Sequence, residues 1–250
     1  MSGPPKLPGF FRLTQFARIP STSEEAKRLA REGAPEGAFI TALEQTAGHG
    51  RQGRVWASPP GNFYGSVVLR PDCDLAQAAQ LGFAAALAVG EACSGFLPKS
   101  AILAYKWPND VLLGGKKTAG ILLESEADGA KPRFVVLGIG VNLAAYPKDS
   151  EFPATSLEAV GAGKVAPGAF LEALAPALLV WYERWRESGF GTLRRQWLDR
   201  AFGLGEKIRV RLPREETEGI FSGLDLDGAL LLESNGKTRR IAAAEVFFAA

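Results

Sequence analysis

The run DLAQAAQLGFAAALAVGEACSGFL, residues 74 to 97, narrows the choice of fold more than any other part of the chain. Ala and Leu dominate it, and its apolar residues fall on every side of a helix rather than along one stripe. Such a helix has no face to offer water, so it must lie buried against other layers. No apolar run in the sequence approaches the roughly 18 residues of a membrane span, so the covering layers belong to the protein itself. Runs rich in β-formers flank the helix and can supply a sheet: GAFITALEQ and NFYGSVVLRP before it, and AILAYKWP, KTAGILLESEA and RFVVLGIGVNLA after it. Turns at Gly114-Gly115 and Asp128-Gly129 join the last three.

Helices frame these runs. In IPSTSEEAKRLAREG, Ser21 or Thr22 can cap a helix start, Glu24 or Glu25 completes a capping box, and Gly33 ends the helix. PGAFLEALAPALLVWYERWRESG reads as a long amphipathic helix that starts at Pro167, stops at Gly189 and is kinked at Pro176, and FGTLRRQWLDRAF adds a shorter one. Near Gly203 the pattern changes to short strands separated by Pro213, Asp227-Gly228 and Asn235-Gly236, a hairpin series that suggests a small β-barrel. The expected organisation is therefore a flexible tail over 1–9, a helix-and-sheet domain over 10–202 and a β domain over 203–250.

Composition removes several function classes. With 29 Lys and Arg against 27 Asp and Glu, the net charge of +2 creates no global field for nucleic acid, so any anion site must be local. Cys73 and Cys93 lack metal-ligand spacing, and Cys93 reads as a buried structural thiol. No signal-peptide pattern appears, which makes the cytoplasm the expected location. His49 is the single histidine, so Ser/His/Asp and Cys/His catalysis have little to draw on.

That histidine sits in QTAGHGRQGRVW, Gln45 to Trp56, between two of the expected strands. Glycines let consecutive backbone N–H groups converge on an anion, and arginines add planar donor pairs suited to phosphate. A solvated glycine-rich turn with incidental arginines fits the same residues. In KWPNDVLLGGKKTAG, Asn109 and Asp110 follow a rigid Trp-Pro step and Lys116 and Lys117 precede the next strand, an arrangement suited either to a plain turn or to a magnesium-bound polyphosphate. It is not a P-loop, because Asp110 stands where that pattern needs glycine. Gly138 and Gly140 alternate in a strongly β stretch that ends at Asn142, marking either a ligand's close approach or tight packing beneath a helix.

Together these segments resemble biotin-protein ligases. The family loop pattern G-R-G-R-x-G-R-x-W matches Gly48 to Trp56 except at His49; KWPND lies at 106–110, KxAGIL at 117–122 and GIGVNL at 138–143, in family order. Ser21-Thr22 and Glu44-Gln45-Thr46 also fit, while Ser23 stands where the family often has Asn. The resemblance implies an α+β catalytic fold like that of class II aminoacyl-tRNA synthetases, with a mixed or antiparallel sheet packed by helices, and an SH3-like C-terminal barrel. It implies that ATP activates biotin to biotinyl-5'-AMP with magnesium, and that biotin then passes to a lysine of a biotin carboxyl carrier protein. Both nucleophiles belong to substrates, so catalysis should rest on positioning and charge stabilisation.

By motif position, the resemblance makes Arg51 and Arg54 the phosphate-holding loop arginines and Lys117 the lysine between carboxylate and α-phosphate. Trp56 and Asn142 would lie near the adenine, Asn109 on the nucleotide side and Asp110 on the magnesium side. Ser21, Thr22 and Gln45 would contact the biotin ring, with Gly48, His49, Gly50 and Gly120 completing the pocket. Histidine cannot offer the guanidinium fork and is mostly neutral at pH 7, so His49 is expected to be secondary. Fewer than 20 residues precede the first motif, too few for the helix-turn-helix of bifunctional members, and no DNA partner is expected. Family members include monomers and sheet-edge dimers, so the resemblance leaves both a monomer and a homodimer open. The rivals are a lipoate-protein ligase, a non-catalytic module that binds biotin or an adenylate, and a nucleotide-responsive DNA-binding regulator.

Overall fold

The structure is a computed structural model that describes residues 5–248. Its elements are β1 (Arg12–Ile19), α1 (Thr22–Arg31), β2 (Ala38–Gln45), β3 (Phe63–Leu69), α2 (Leu75–Ala79), α3 (Leu81–Ser94), β4 (Leu103–Lys106), β5 (Asp110–Leu113), β6 (Lys116–Asp128), β7 (Lys131–Val141), α4 (Pro167–Ser188) and α5 (Phe190–Leu198). There follow β8 (Lys207–Arg211), β9 (Glu216–Leu224), β10 (Leu230–Ser234), β11 (Lys237–Ile241) and β12 (Glu245–Phe248). One sheet runs β1-β2-β3-β7-β6-β5-β4, with β1 and β2 parallel and the other neighbours antiparallel. The second, β11-β10-β9-β8-β12, is antiparallel throughout and agrees with the SH3-like expectation.

Alternation along the strands assigns the two faces of the large sheet. Phe39, Val67, Val135 and Leu137 join α3 and α4 in the main core. Their neighbours Ile40, Val68, Phe134 and Val136 instead pack with Ala26 and Ala30 of α1. The helix that had to be buried is buried: from Leu81 to Cys93, Glu91 is its exposed position, and burial pushes the Cys93 thiol up to about 12. It is nevertheless two helices rather than the single one expected. The chain breaks at Gln80, whose side-chain oxygen accepts from Trp185 Nε1 at 2.9 Å, and Asp74 caps α2 in a reciprocal box with Gln77. Ser21 caps α1 through Glu24 N, and Pro176 lies inside α4 without ending it.

Two strands escape the sequence reading. RLTQFARI is polar and largely exposed, so β1 lacks an alternating pattern and owes its form to the ladder with β2. β5 is a buried four-residue return from the turn at 107–109, where a single strand was expected to end at Pro108. The expected strand over KTRRIAAAEV divides into β11 and β12, and β12 crosses to pair with β8. Of the expected tail, residues 1–4 lie outside the described residues; Lys6 N donates to Glu172 Oε1 at 2.8 Å and Leu7 packs against the core. Among the described residues no helix is long and apolar enough to cross a membrane.

The second sheet docks through specific polar contacts. Trp107 Nε1 donates to Gly228 O at 3.0 Å, and Arg194 Nε donates to Leu224 O at 2.8 Å. Gly228 has φ +90°, and a Cβ there would meet the Phe83 ring at 2.7 Å, so this turn fits only as glycine.

One buried side chain holds the end of β7 in place. Asn62 Oδ1 accepts from the backbone N–H groups of Leu143, Ala144 and Ala145 at 3.0, 2.9 and 3.0 Å, while its Nδ2 donates to Ala145 O. Asn62→Ala would strand these donors, and the expected loss is about 3 kcal/mol of unfolding free energy. Urea unfolding measures it, and a loss under about 1 kcal/mol would mean that the donors find other partners.

Candidate active site

A cleft of about 410 Å³ opens where the loop after β2, the start of α1, β6, β7 and the beginning of β12 meet. The loop is a closed hairpin in miniature. Trp56 N donates to Gly48 O at 2.9 Å, His49 pairs with Val55, and Gly50 N donates to Arg54 O at 2.7 Å. Between them Arg51–Gly53 makes one tight turn, with Gln52 in the left-handed region at φ +58°. This turn carries Arg51 into the cleft.

The floor is made by missing side chains. Gly120 and Gly140 are register partners on β6 and β7, and the Trp56 indole lies over both. A Cβ on Gly140 would stand 2.6 Å from the indole, and one on Gly120 would stand 3.0 Å from it. Gly138 serves a different purpose, since a Cβ there would meet Ser23 Oγ of α1 at 2.6 Å. Packing beneath a helix therefore explains Gly138, whereas Gly140 makes room for the chain's own Trp56. Trp56 Nε1 is buried and has no hydrogen-bond partner among the described residues.

One end of the cleft is a polar relay. Gln45 Oε1 accepts from Thr22 N at 2.8 Å and Thr22 Oγ1 at 3.1 Å, and Gln45 Nε2 donates to Ser58 Oγ at 3.0 Å. Ser66 Oγ donates to Thr22 Oγ1 at 2.8 Å and lies 3.0 Å from Ser23 Oγ. Ser21, Thr22 and Gln45 all reach the cleft wall. The amide is therefore oriented before any ligand arrives.

The other end is ionic. Lys117 Nζ stands 2.7 Å from Asp110 Oδ1, close enough for an ion pair, yet the geometry leaves that buried oxygen without a directed donor. Asn109 Nδ2 donates to Ile121 O at 2.5 Å, and its Oδ1 receives Arg51 Nη1 at 3.5 Å. Burial draws the Arg51 guanidinium below the usual arginine value, with Asp110 and Glu245 opposing. Lys106, to which the sequence reading gave no role, is buried beside them with its Nζ 3.0 Å from the Phe152 ring centroid. Desolvation pushes its ammonium down to about 7, with Lys117 and Arg54 adding to the shift and Asp110 and Glu245 resisting it.

The expected site residues mostly converge here. Ser21, Thr22, Gln45, His49, Gly50, Arg51, Arg54, Trp56, Asn109, Asp110, Lys117, Gly120 and Asn142 all border the cleft. Gly48 does not: it lies under the loop, where a Cβ would meet Ser58 Oγ at 2.5 Å and Trp56 O at 2.7 Å. Arg54 stands half-exposed at the rim, paired with Glu245 of β12 and 3.9 Å from Glu151. Asn142 is buried, and its Nδ2 donates to Thr155 O at 3.0 Å, so it braces the wall over 153–155. That wall and the terminal strand bring in Glu151, Phe152 and Glu245, which no local pattern announced; only Lys106 lay inside a motif already noted.

Comparison with known proteins follows the same division of the chain. Residues 25–199 match the Biotin/lipoate A/B protein ligase family, and residues 203–249 match the Biotin protein ligase C terminal domain. A biotin--[acetyl-CoA-carboxylase] ligase of Paracoccus denitrificans is 46% identical over 238 residues, covering 93% of this chain and 99% of that one. Among solved structures, a biotin protein ligase from Aquifex aeolicus in complex with biotin and ATP superposes with a TM-score of 0.80 at 26% identity, covering 94% of this chain and 97% of the other. The Leishmania major enzyme in complex with biotinyl-5-AMP gives 0.66 at 25% identity, covering 93% and 99%. The chain belongs to the biotin/lipoate A/B protein ligase family.

Proposed function

We propose that this protein is an ATP-dependent biotin-protein ligase. The observation that carries the reading is the convergence of Arg51, Lys106 and Lys117 around a glycine-floored slot whose far end is the Gln45 relay. A carboxylate and a triphosphate repel one another, by about 4 kcal/mol for unit charges 4 Å apart at an effective dielectric of 20. Cations fixed between them offset that repulsion without having to reorganise. The biotin carboxylate oxygen then attacks the α-phosphorus, the bond to the bridging oxygen breaks, and pyrophosphate leaves with the electron pair. In the second step a carrier lysine attacks the acyl carbon, AMP departs with its oxygen, and the amine releases a proton.

Each side chain has work in this scheme. Lys117 exchanges Asp110 for the reacting anions, and Arg51 and Lys106 hold the phosphates. Arg54 joins them when phosphate competes with Glu245 and Glu151. Trp56 and Asn142 define the adenine end, and Ser21, Thr22 and Gln45 offer polar groups to the biotin ring. Asp110 fits magnesium, because a buried carboxylate oxygen without a directed donor suits a hard cation or the water it carries. Asp110 with Asn109 would hold that ion, which supplies charge neutralisation at the phosphates. A lipoate substrate is not favoured, given the biotin ligases among the relatives. The proposal includes a catalytic domain over 10–202, an SH3-like domain over 203–250, a cytoplasmic location, a biotin carboxyl carrier protein as acceptor, and a homodimer through a sheet edge such as β1.

Three outcomes test the reading. Incubated with ATP, magnesium and labelled biotin, the protein forms biotinyl-5'-AMP, and Lys117→Ala lowers that rate by about 100-fold or more with an unchanged circular dichroism spectrum; adenylate from lipoate alone would overturn the assignment. Gly140→Val drives a side chain into the Trp56 ring, so adenylate formation falls at least tenfold (~1.4 kcal/mol of barrier) while the fold persists. Lys106 is largely neutral at pH 8, and a bound polyphosphate raises its affinity for a proton, so ATP binding takes up a proton and weakens as pH rises from 7. Calorimetry at pH 8 in buffers of different ionisation enthalpy detects that uptake, and Lys106→Met abolishes it.

A further inference from the structure

The loop hairpin turns its histidine toward α1 and β6. His49 pairs with Val55 across the base of the loop, one step from the Gly48–Trp56 bond, so any shift of its backbone carries Arg51 and Trp56 with it. Its imidazole is mostly buried between two other elements. Nε2 lies 3.6 Å from Glu24 Oε1 on α1 and 3.7 Å from Glu124 Oε2 on β6. These distances are too long for hydrogen bonds and short enough for ion pairs. The Glu124 oxygen that faces the ring is buried and has no hydrogen-bond donor.

The charges around the ring are few. On α1 they are Glu24 and Lys27, with Arg31 one turn further on and paired to Glu126 at 2.7 Å; on β6 there is Glu124. Lys27 Nζ bridges Glu24 Oε1 at 2.7 Å and Glu124 Oε1 at 2.9 Å. Its ammonium thus pairs with both carboxylates. Two carboxylates and one ammonium carry a net charge of −1, and a proton on the imidazole balances it.

We propose that His49 is a positioning residue, a proton-operated latch that ties the phosphate loop to Glu24 on α1 and Glu124 on β6. Protonated, it holds the loop down over the cleft; neutral, it leaves the carboxylates unbalanced and the loop is held less firmly. Histidine as a residue type ordinarily gains or loses a proton between pH 5 and 8, and the latch is fastened with the proton on and loosened with it off. An arginine in the same place would stay charged and keep the loop fastened throughout. The reaction itself needs no histidine, and none is asked to transfer a proton.

The inference rests on the ligase reading, and its test separates the two. Complexes of the protein with labelled biotinyl-5'-AMP, formed from biotin, ATP and magnesium, are diluted into unlabelled ligand between pH 5.5 and 8.5, and the rate of adenylate loss is measured. For partly exposed ion pairs the wild-type rate should rise about three- to fivefold across that range. His49→Arg should stay slow and His49→Ala fast, both without that rise, and Glu124→Gln should flatten the profile in a protein that keeps its histidine. Dividing each profile by that of His49→Ala removes any pH dependence of the adenylate's own hydrolysis. The same slope in wild type and His49→Ala, or a Glu124→Gln profile as steep as wild type, overturns the latch and leaves the ligase intact. Failure of the wild type to form any adenylate overturns the ligase reading, and the latch with it.

Discussion

The absence of side chains at one register pair, Gly120 opposite Gly140, is the constraint on which the functional end of this protein depends. Neighbouring strands normally fill the face of a sheet with side chains. Here two adjacent strands leave a notch, and the loop's tryptophan settles into it. The position of Trp56 fixes the loop's exit, the Gly48 contact fixes its entry, and the tight turn at Arg51 is suspended between them. Filling the notch would lift the tryptophan, and the arginines would follow. Asn62 holds the chain that leaves β7 just beyond Gly140, so the notch has a fastened margin.

Electrostatics complete what the notch begins. A nearly neutral chain concentrates Arg51, Lys106 and Lys117 in one partly buried place and gives those at the rim and floor carboxylate partners. Lys117 leans on Asp110 and Arg54 on Glu245. Lys106 is handled differently, since desolvation rather than pairing limits its charge. The cleft thus holds its cations at modest energetic strain until an anion arrives.

Much of this was legible in the residues, for a physical reason. Glycine runs, turn dipeptides and cap residues act over a few positions, so the loop, the Ser21 cap of α1, the buried helix and the hairpins of the second sheet could be read locally. β1 could not, because its polar, exposed residues become a strand only by pairing with β2. β5 was too short to stand out, and the break at Gln80 depends on Trp185, distant in sequence. The same distance hid the Glu151, Phe152 and Glu245 wall. The opposite duties of Gly138 and Gly140 needed knowledge of what lies over each, as did the close packing of Ser58 and Trp56 around Gly48.

The change in composition near Gly203 suggests a seam, and the strands of the large sheet all precede that residue while those of the small sheet all follow it. The cleft ignores it. Ala244, Glu245 and Val246 line the cleft from the side of the second sheet, and the Trp107 indole, next to the buried Lys106, is fastened to Gly228 beyond Gly203. The small sheet is therefore a wall of the cleft. A graft or exchange of that sheet would have to reproduce a carboxylate and a glycine turn in register with the large sheet and its helices, so the cleft cannot be rebuilt from one sheet alone.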